Sequence, residues 1–211
     1  MEAKKFYLVI DLEATCDADH KIPREQTEII EIGAVLCDAE KLARVAEFQT
    51  FVRPLRHPRL TGFCTQLTTI TQAQVDGAPT FSVAIQKLGA WLRERGVLGQ
   101  FTFCSWGDYD KNQLAREERR HGLRLPLGTG HLNLKEAFCR RSGDDKKLGT
   151  GQALRRVGLR SEGTAHRGID DARNIAKLLP YCLGRLPIPA ATDRAQQARE
   201  PGPRHRGRNL S

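Results

Sequence analysis

No apolar stretch in these 211 residues approaches the roughly 20 that a membrane span needs, so no membrane association is expected. No two of the six cysteines form a C-x-x-C pair and none has an adjacent histidine, which argues against a zinc site. Cys16, Cys37, Cys64, Cys104, Cys139 and Cys182 are spread along the chain, several in apolar segments, as buried reduced thiols are. The expected location is intracellular and reducing, hence cytoplasmic. The opening Met1–Phe6 leads straight into an apolar run and is expected to leave no room for a signal peptide. There is no internal repeat.

What is present is a modest excess of positive charge. Lys and Arg number 34 against 25 Asp and Glu, for a net charge of +9, which suits an anionic partner such as nucleic acid or a membrane surface. A hydrophobic content of 39% over this length is enough for one full core.

The apolar patterns alternate between strand and helix periods. Phe6–Glu13 and Glu28–Asp38 read as buried strands, and Val45–Val52 as a half-exposed one with Ala46 and Phe48 opposite Glu47 and Gln49. Ala43 and Arg44 are expected in the turn between the last two. Thr80 is the expected N-cap of a helix whose apolar stripe is Phe81, Ala84, Ile85, Leu88, Trp91 and Leu92. Phe101–Ser105 is a short buried strand, followed by a helix over Lys111–His121 stopped by Gly122. Asn133–Arg141 and Gln152–Val157 are shorter helices. Asp171–Leu183 is the last strong one, which Pro180 should kink or end early. The pattern is α/β with a partly antiparallel sheet, in one domain over residues 5–186. Residues 187–211 are basic and rich in Pro and Arg, and are expected to be a disordered tail offering weak phosphate attraction or mere solubility.

The chemistry begins at the end of the first strand. Asp11 and Glu13 are two residues apart and therefore point to one face. Two acids there repel each other unless a cation neutralises them, and carboxylate oxygens suit Mg²⁺ or Mn²⁺. The plainer reading is a strand end emerging into water. Further acids follow at Asp108 and Asp110, where a strand hands over to a helix. His166, Asp170 and Asp171 open the last helix. Ligands commonly gather at such strand ends in open α/β sheets. Each also has a simpler role: a helix cap, a complement to the helix dipole, or a surface loop residue.

Asp11-x-Glu13, Tyr109-Asp110-x-x-x-Leu114 and His166-x-x-x-x-Asp171 together resemble the motifs of the DEDDh 3′→5′ exonucleases. These share an RNase H-like fold with the proofreading subunit of bacterial DNA polymerase III. The segments Ile10–Cys16, Glu28–Glu31, Phe51–Pro54, Phe63–Gln72, Val75–Ala78, Ser105–Trp106 and His166–Ala176 are most similar to the branch that trims histone mRNA, small interfering RNA and ribosomal RNA.

The resemblance implies an RNase H-like mixed sheet flanked by helices, and release of 5′-mononucleotides from single-stranded RNA or DNA 3′ ends. Two Mg²⁺ or Mn²⁺ ions would be held by Asp11, Glu13, Asp110 and Asp171, with His166 as general base and Glu13 also catalytic. The family pattern favours Asp110 over Asp108, through the preceding Tyr109 and the following Leu114. The interval from His166 favours Asp171 over Asp170. Glu13, Ala14 and His166 would meet the terminal nucleotide, Phe63 and Trp106 could stack on bases, and Thr69 borders the nucleotide in relatives. A DNA-directed exonuclease and a non-catalytic nucleic-acid-binding protein are the alternatives. Protein partners are not legible.

Overall fold

The computed structural model describes residues 4–19, 21–128, 130–143 and 148–190. Within them, strands β1 (Phe6–Ala14), β2 (Ile29–Asp38), β3 (Arg44–Phe51), β4 (Phe101–Ser105) and β5 (His131–Asn133) form one sheet in the order β3-β2-β1-β4-β5. β1 is central. It runs antiparallel to β2 and parallel to β4, and β4 is parallel to β5.

Period-two alternation sends the two sides of β1 into different cores. Leu8, Ile10 and Leu12 join Ile32, Ala34 and Leu36 of β2 against helix α3 (Phe81–Glu94), whose Phe81, Ala84, Ile85, Leu88, Trp91 and Leu92 supply the expected stripe. Val9, Val35 and Cys37 face the other way. They pack against α5 (Leu134–Ser142), α6 (Thr150–Arg156), α7 (Gly168–Ala176) and α8 (Leu179–Cys182). Asp11 and Glu13 continue the Val9 side, so the acids emerge on the face that α7 covers. The sheet is thus mixed and flanked by helices on both sides, as the resemblance implied.

Several local expectations are corrected. The turn between β2 and β3 is made by Ala39–Lys41 rather than Ala43 and Arg44. The Asp38 carboxylate organises it by accepting from the Glu40 and Lys41 amides, and Arg44 already lies in β3. Thr80 occupies the N-cap position of α3 without a side-chain capping bond. The helix expected from Lys111 begins at Tyr109 as α4 (Tyr109–His121), which puts Asp110 in its first turn; Gly122 closes it in a left-handed conformation. The last helix starts earlier and breaks in two: α7 ends at Ala176, and Pro180 sits in the first turn of α8, where its missing N–H costs nothing. Helices α1 (Gly62–Thr68) and α2 (Gln72–Asp76) were not expected. Both are short, and their starts depend on Thr61 and on a Thr71–Gln74 capping box rather than on an apolar stripe. β5 is too short to show a period. Most of the tail expected over 187–211, from residue 191 onward, lies outside the described residues.

Candidate active site

β1 outruns its neighbour. Its pairing with β4 ends at Val9 and Cys104, so among the described residues no strand pairs with the stretch from Asp11 to Glu13 on that edge. The Asp110 carboxylate takes the place of one, accepting the Leu12 amide at 3.1 Å. That bond ties the first turn of α4 to the end of β1 and sets the third acid beside the first two. Asp110 is buried, with only 4% exposure. Asp108 points elsewhere, its side chain 54% exposed and bonded to Asn133, with the His131 ring and Lys111 nearby.

The fourth acid arrives on α7, which lies unusually close to β2. A Cβ on Gly33 would land on the backbone of Gly168 and Ile169, and one on Gly168 would meet the Asp11 carbonyl at 3.0 Å. Only glycine at position 33 permits this approach, and at position 168 a side chain would be tight against the Asp11 carbonyl. The buried Glu31, directly opposite Glu13 across the β1–β2 ladder, fastens it. Its carboxylate accepts the Gly168 amide (3.0 Å), Arg167 Nε (3.1 Å) and Gln49 Nε2 (2.6 Å). A buried charge satisfied by three donors is a tolerable one.

His166 lies just ahead of α7 with a positive φ of 59°, which costs a non-glycine residue roughly 1–2 kcal/mol. Its amide donates to the Asp171 carboxylate at 2.8 Å, which holds it there. The loop is stapled twice more from the same helix. Asp170 accepts the Thr164 amide at 2.9 Å, while Asn174 both accepts from the Glu162 amide and donates to its carbonyl. As a result, ligand atoms of Glu13, Asp171 and His166 all lie within 4.8 Å of one another.

Asp11, Glu13, Asp110, His166 and Asp171 line one cavity of about 580 Å³, together with Ala14 and Trp106. Burial and mutual repulsion work in the same direction on the acids. Desolvation pushes Asp11 well up, reinforced by Asp110, Glu13 and Asp171. It raises Glu13 to about 8, with Asp171 and Glu31 adding to it, and Asp110 to about 7 despite the Leu12 amide. Asp171 is raised as well, chiefly by desolvation. Four clustered carboxylates that resist ionisation are a set of hard oxygen donors suited to divalent cations.

Not every residue singled out by sequence meets the cavity. Phe63 is 41% exposed on α1, one turn before Leu67, which does line it. Thr69 is the left-handed C-cap of α1 and is not in the cavity wall. Trp106 serves two purposes: it borders the cavity, while its Nε1 donates to the Leu148 carbonyl and its ring packs on Phe138. Sequence reasoning missed Thr150, Ser161 and Glu162 in the wall, and Asn174 as the staple of the His166 loop. The one available signal was that Asn174 follows Asp170 by four residues, on the same helix face.

Comparison with known proteins gives a consistent picture. A family model described as Exonuclease matches residues 8–179. The mouse protein ERI1 exoribonuclease 3 is 33% identical over 180 residues, covering 82% of this chain and 52% of its own length. The 3′-5′ exonuclease Snipper of Drosophila melanogaster is 33% identical over 195 residues, covering 85% of this chain and 69% of its own length. The chain therefore spans about half the length of the ERI1 relative. Among solved structures, the nuclease domain of 3′hExo, a DEDDh family member bound to rAMP, superposes with a TM-score of 0.78 at 28% identity, over 86% of this chain and 93% of that one.

Proposed function

Because this chain belongs to the exonuclease family, in its DEDDh branch, we propose that the cavity hydrolyses the terminal phosphodiester at the 3′ end of single-stranded RNA and releases 5′-mononucleotides. The observation that carries this reading is the convergence of four buried or half-buried carboxylates and one loop histidine on a single open cavity. The family is divalent-metal dependent. For this chain we propose two Mg²⁺ or Mn²⁺ ions, held by Asp11, Glu13, Asp110 and Asp171.

Bound there, the cations would neutralise the phosphate, sharpen a water for attack and stabilise the leaving 3′ oxygen. The rest falls to side chains. Asp110 and Asp171 enter from helix starts, so their positions depend on the Leu12 amide and on the Gly33–Gly168 approach. His166 takes the proton of the attacking water. Its ring has no place among the proposed ligands, and its loop is exposed enough to adjust to substrate. Glu13 and Ala14 meet the terminal sugar. Trp106 and Tyr109 offer apolar walls to the terminal base, and Phe63 continues that surface outward from Leu67. Arg24, lying 5.5 Å over the Tyr109 ring, supplies positive charge beside the cavity for the next phosphate.

The test is digestion of 5′-labelled single-stranded RNA and DNA of one sequence with Mn²⁺, repeated in EDTA. Stepwise shortening with mononucleotide release, faster on RNA and absent in EDTA, is expected. Internal cuts, or undiminished activity in EDTA, would overturn the proposal; faster DNA digestion would overturn the RNA preference alone.

A further inference from the structure

Trp106 enters the cavity wall from the turn between β4 and α4. The residue before it, Ser105, is wholly buried. Its hydroxyl donates to the Gly107 carbonyl at 2.8 Å, closing a small ring over Trp106, and meets His131 Nε2 at the same distance. A hydroxyl has one proton and a carbonyl can only accept, so the histidine is the donor here, with its proton on Nε2. The row Ser105–His131–Asp108 looks like a nucleophile's triad but is not one. The hydroxyl is sealed from water with its proton engaged, and the second ring nitrogen lies 3.9 Å from Asp108 Oδ1, beyond hydrogen-bond reach.

We propose that His131 is a positioning residue for the terminal base: its Nε2–H orients the Ser105 hydroxyl, which fixes the turn that presents Trp106 to the cavity. The role toward a base rests on the function proposed above; the chain of hydrogen bonds does not.

The short strand β5 supplies the histidine. Paired in parallel with β4, it sets His131 opposite Phe103, against whose ring the imidazole packs at 4.9 Å, leaving the side chain 9% exposed. Two residues on, Asn133 donates to the Asp108 carboxylate at 3.0 Å. One strand thus grips the turn at both ends, at Ser105 and at Asp108. Between them Gly107 takes a φ of 105°, which favours glycine. With Nε2–H on its acceptor side, the Ser105 hydroxyl keeps the one orientation aimed at Gly107; without that donor it is free to turn. Other contacts of Trp106, to the Leu148 carbonyl and Phe138, hold its ring and not its backbone. Asp110 starts further along and has its own anchor in the Leu12 amide, so the metal site should stay in place.

Binding of AMP, and of ribose 5-phosphate, which lacks the base, would be measured by calorimetry on the full chain with Mn²⁺, alongside turnover on labelled RNA. In His131→Leu, which removes the donor, AMP should bind roughly threefold to tenfold more weakly, the range one neutral hydrogen bond spans, with ribose 5-phosphate unchanged. KM for RNA should rise with it and kcat stay near wild type. His131→Gln, whose amide can donate at about the reach of Nε2, should recover most of the AMP affinity. Ser105→Ala should match His131→Leu, and the double variant should lose no more than either alone, since both break one chain of bonds. If His131→Leu does not fold, the same comparison of the two ligands in Ser105→Ala decides. Equal weakening of both ligands, no recovery in His131→Gln, or losses that add in the double variant would overturn the proposal. A chain that shows the expected binding pattern yet leaves RNA 3′ ends intact would sink the function proposed above and leave the role of His131 standing. RNA shortening without that pattern would do the reverse.

Discussion

The Gly168 backbone rests in the space where a Cβ on Gly33 would stand. Gly33 is the register partner of Asp11, so this contact sets the spacing between α7 and the strand that carries the first two acids. Gly33→Ala should therefore damage both fold and site. Forcing one methyl into a packed contact typically costs about 1–3 kcal/mol, and more where backbone rather than a side chain must move. A thermal melt should show the loss of stability, and Mn²⁺ affinity should fall with it. Unchanged melting and affinity would show that α7 can shift without consequence.

Asp108 and Asp110 separate cleanly by environment. Asp110 is buried in the cavity with the Leu12 amide, while Asp108 is exposed beside Asn133 and Lys111. Asp108→Asn should leave turnover within a fewfold of wild type, and Asp110→Asn should abolish it. Asp110→Asn keeps the carbonyl oxygen that accepts from Leu12, so the loss would be charge and ligand rather than fold. The reverse pattern would place the third ligand at Asp108.

How much of this was legible varied with the physics of each signal. β1, β2 and β4 were readable because buried strands leave continuous apolar runs, and α3 because its stripe recurs along most of a fourteen-residue helix. Asp11 and Glu13 were readable as a pair because strand geometry alone puts them on one face. Their union with Asp110, His166 and Asp171 needed the family resemblance, since nothing local says that α4 and α7 start at the same strand end. Asn174 was illegible for a different reason. An amide that bonds the backbone of a loop twelve residues away in sequence looks like any polar helix residue. Glu31 was legible only as the end of a segment that resembles the family. Only the fold shows that it anchors α7.

Without cation, the acids should make the fold pH-sensitive in an unusual direction. Glu13 is pushed up to about 8 and Asp110 to about 7, against roughly 4 in an unfolded chain. Between those values the folded chain keeps protons that the unfolded chain has released, so stability falls as pH rises from about 5 to 8. His131, lowered by burial and Lys111, works the other way as pH passes its ordinary value. Glu13→Gln therefore isolates the carboxylate contribution by flattening the decline. Melts in EDTA at the two ends of this range should show the decline in wild type, and saturating Mn²⁺ should remove it. A wild-type decline no steeper than that of Glu13→Gln would refute the prediction.

Asn174 should matter to rate more than to metal. Its two bonds to the Glu162 backbone hold the start of the loop that ends at His166, and Asp170 and Asp171 hold the remainder. Asn174→Ala should lower kcat by roughly tenfold or more through misplacement of the base, with Mn²⁺ affinity near wild type. Asn174→Asp, which retains the acceptor for the Glu162 amide, should recover part of the loss. A purely packing role would instead lower the melting temperature of both variants and leave kcat alone.

The role of His166 itself can be separated from two competitors by measuring turnover and Mn²⁺ affinity on one variant. As a general base, its removal in His166→Ala should cost roughly 10²–10⁴ in turnover, with metal affinity preserved, because the four carboxylates still form the site. A ligand role is a real competitor, since its ring nitrogen comes within 4.8 Å of Glu13 and Asp171 carboxylate oxygens. It predicts weaker Mn²⁺ binding alongside the lost rate. A surface role, in keeping with the exposure of the loop, predicts little change in either. The backbone amide that bonds Asp171 survives the substitution, so Asp171 keeps its position and the comparison reads the imidazole alone. Turnover within about twofold of wild type would rule the general base out.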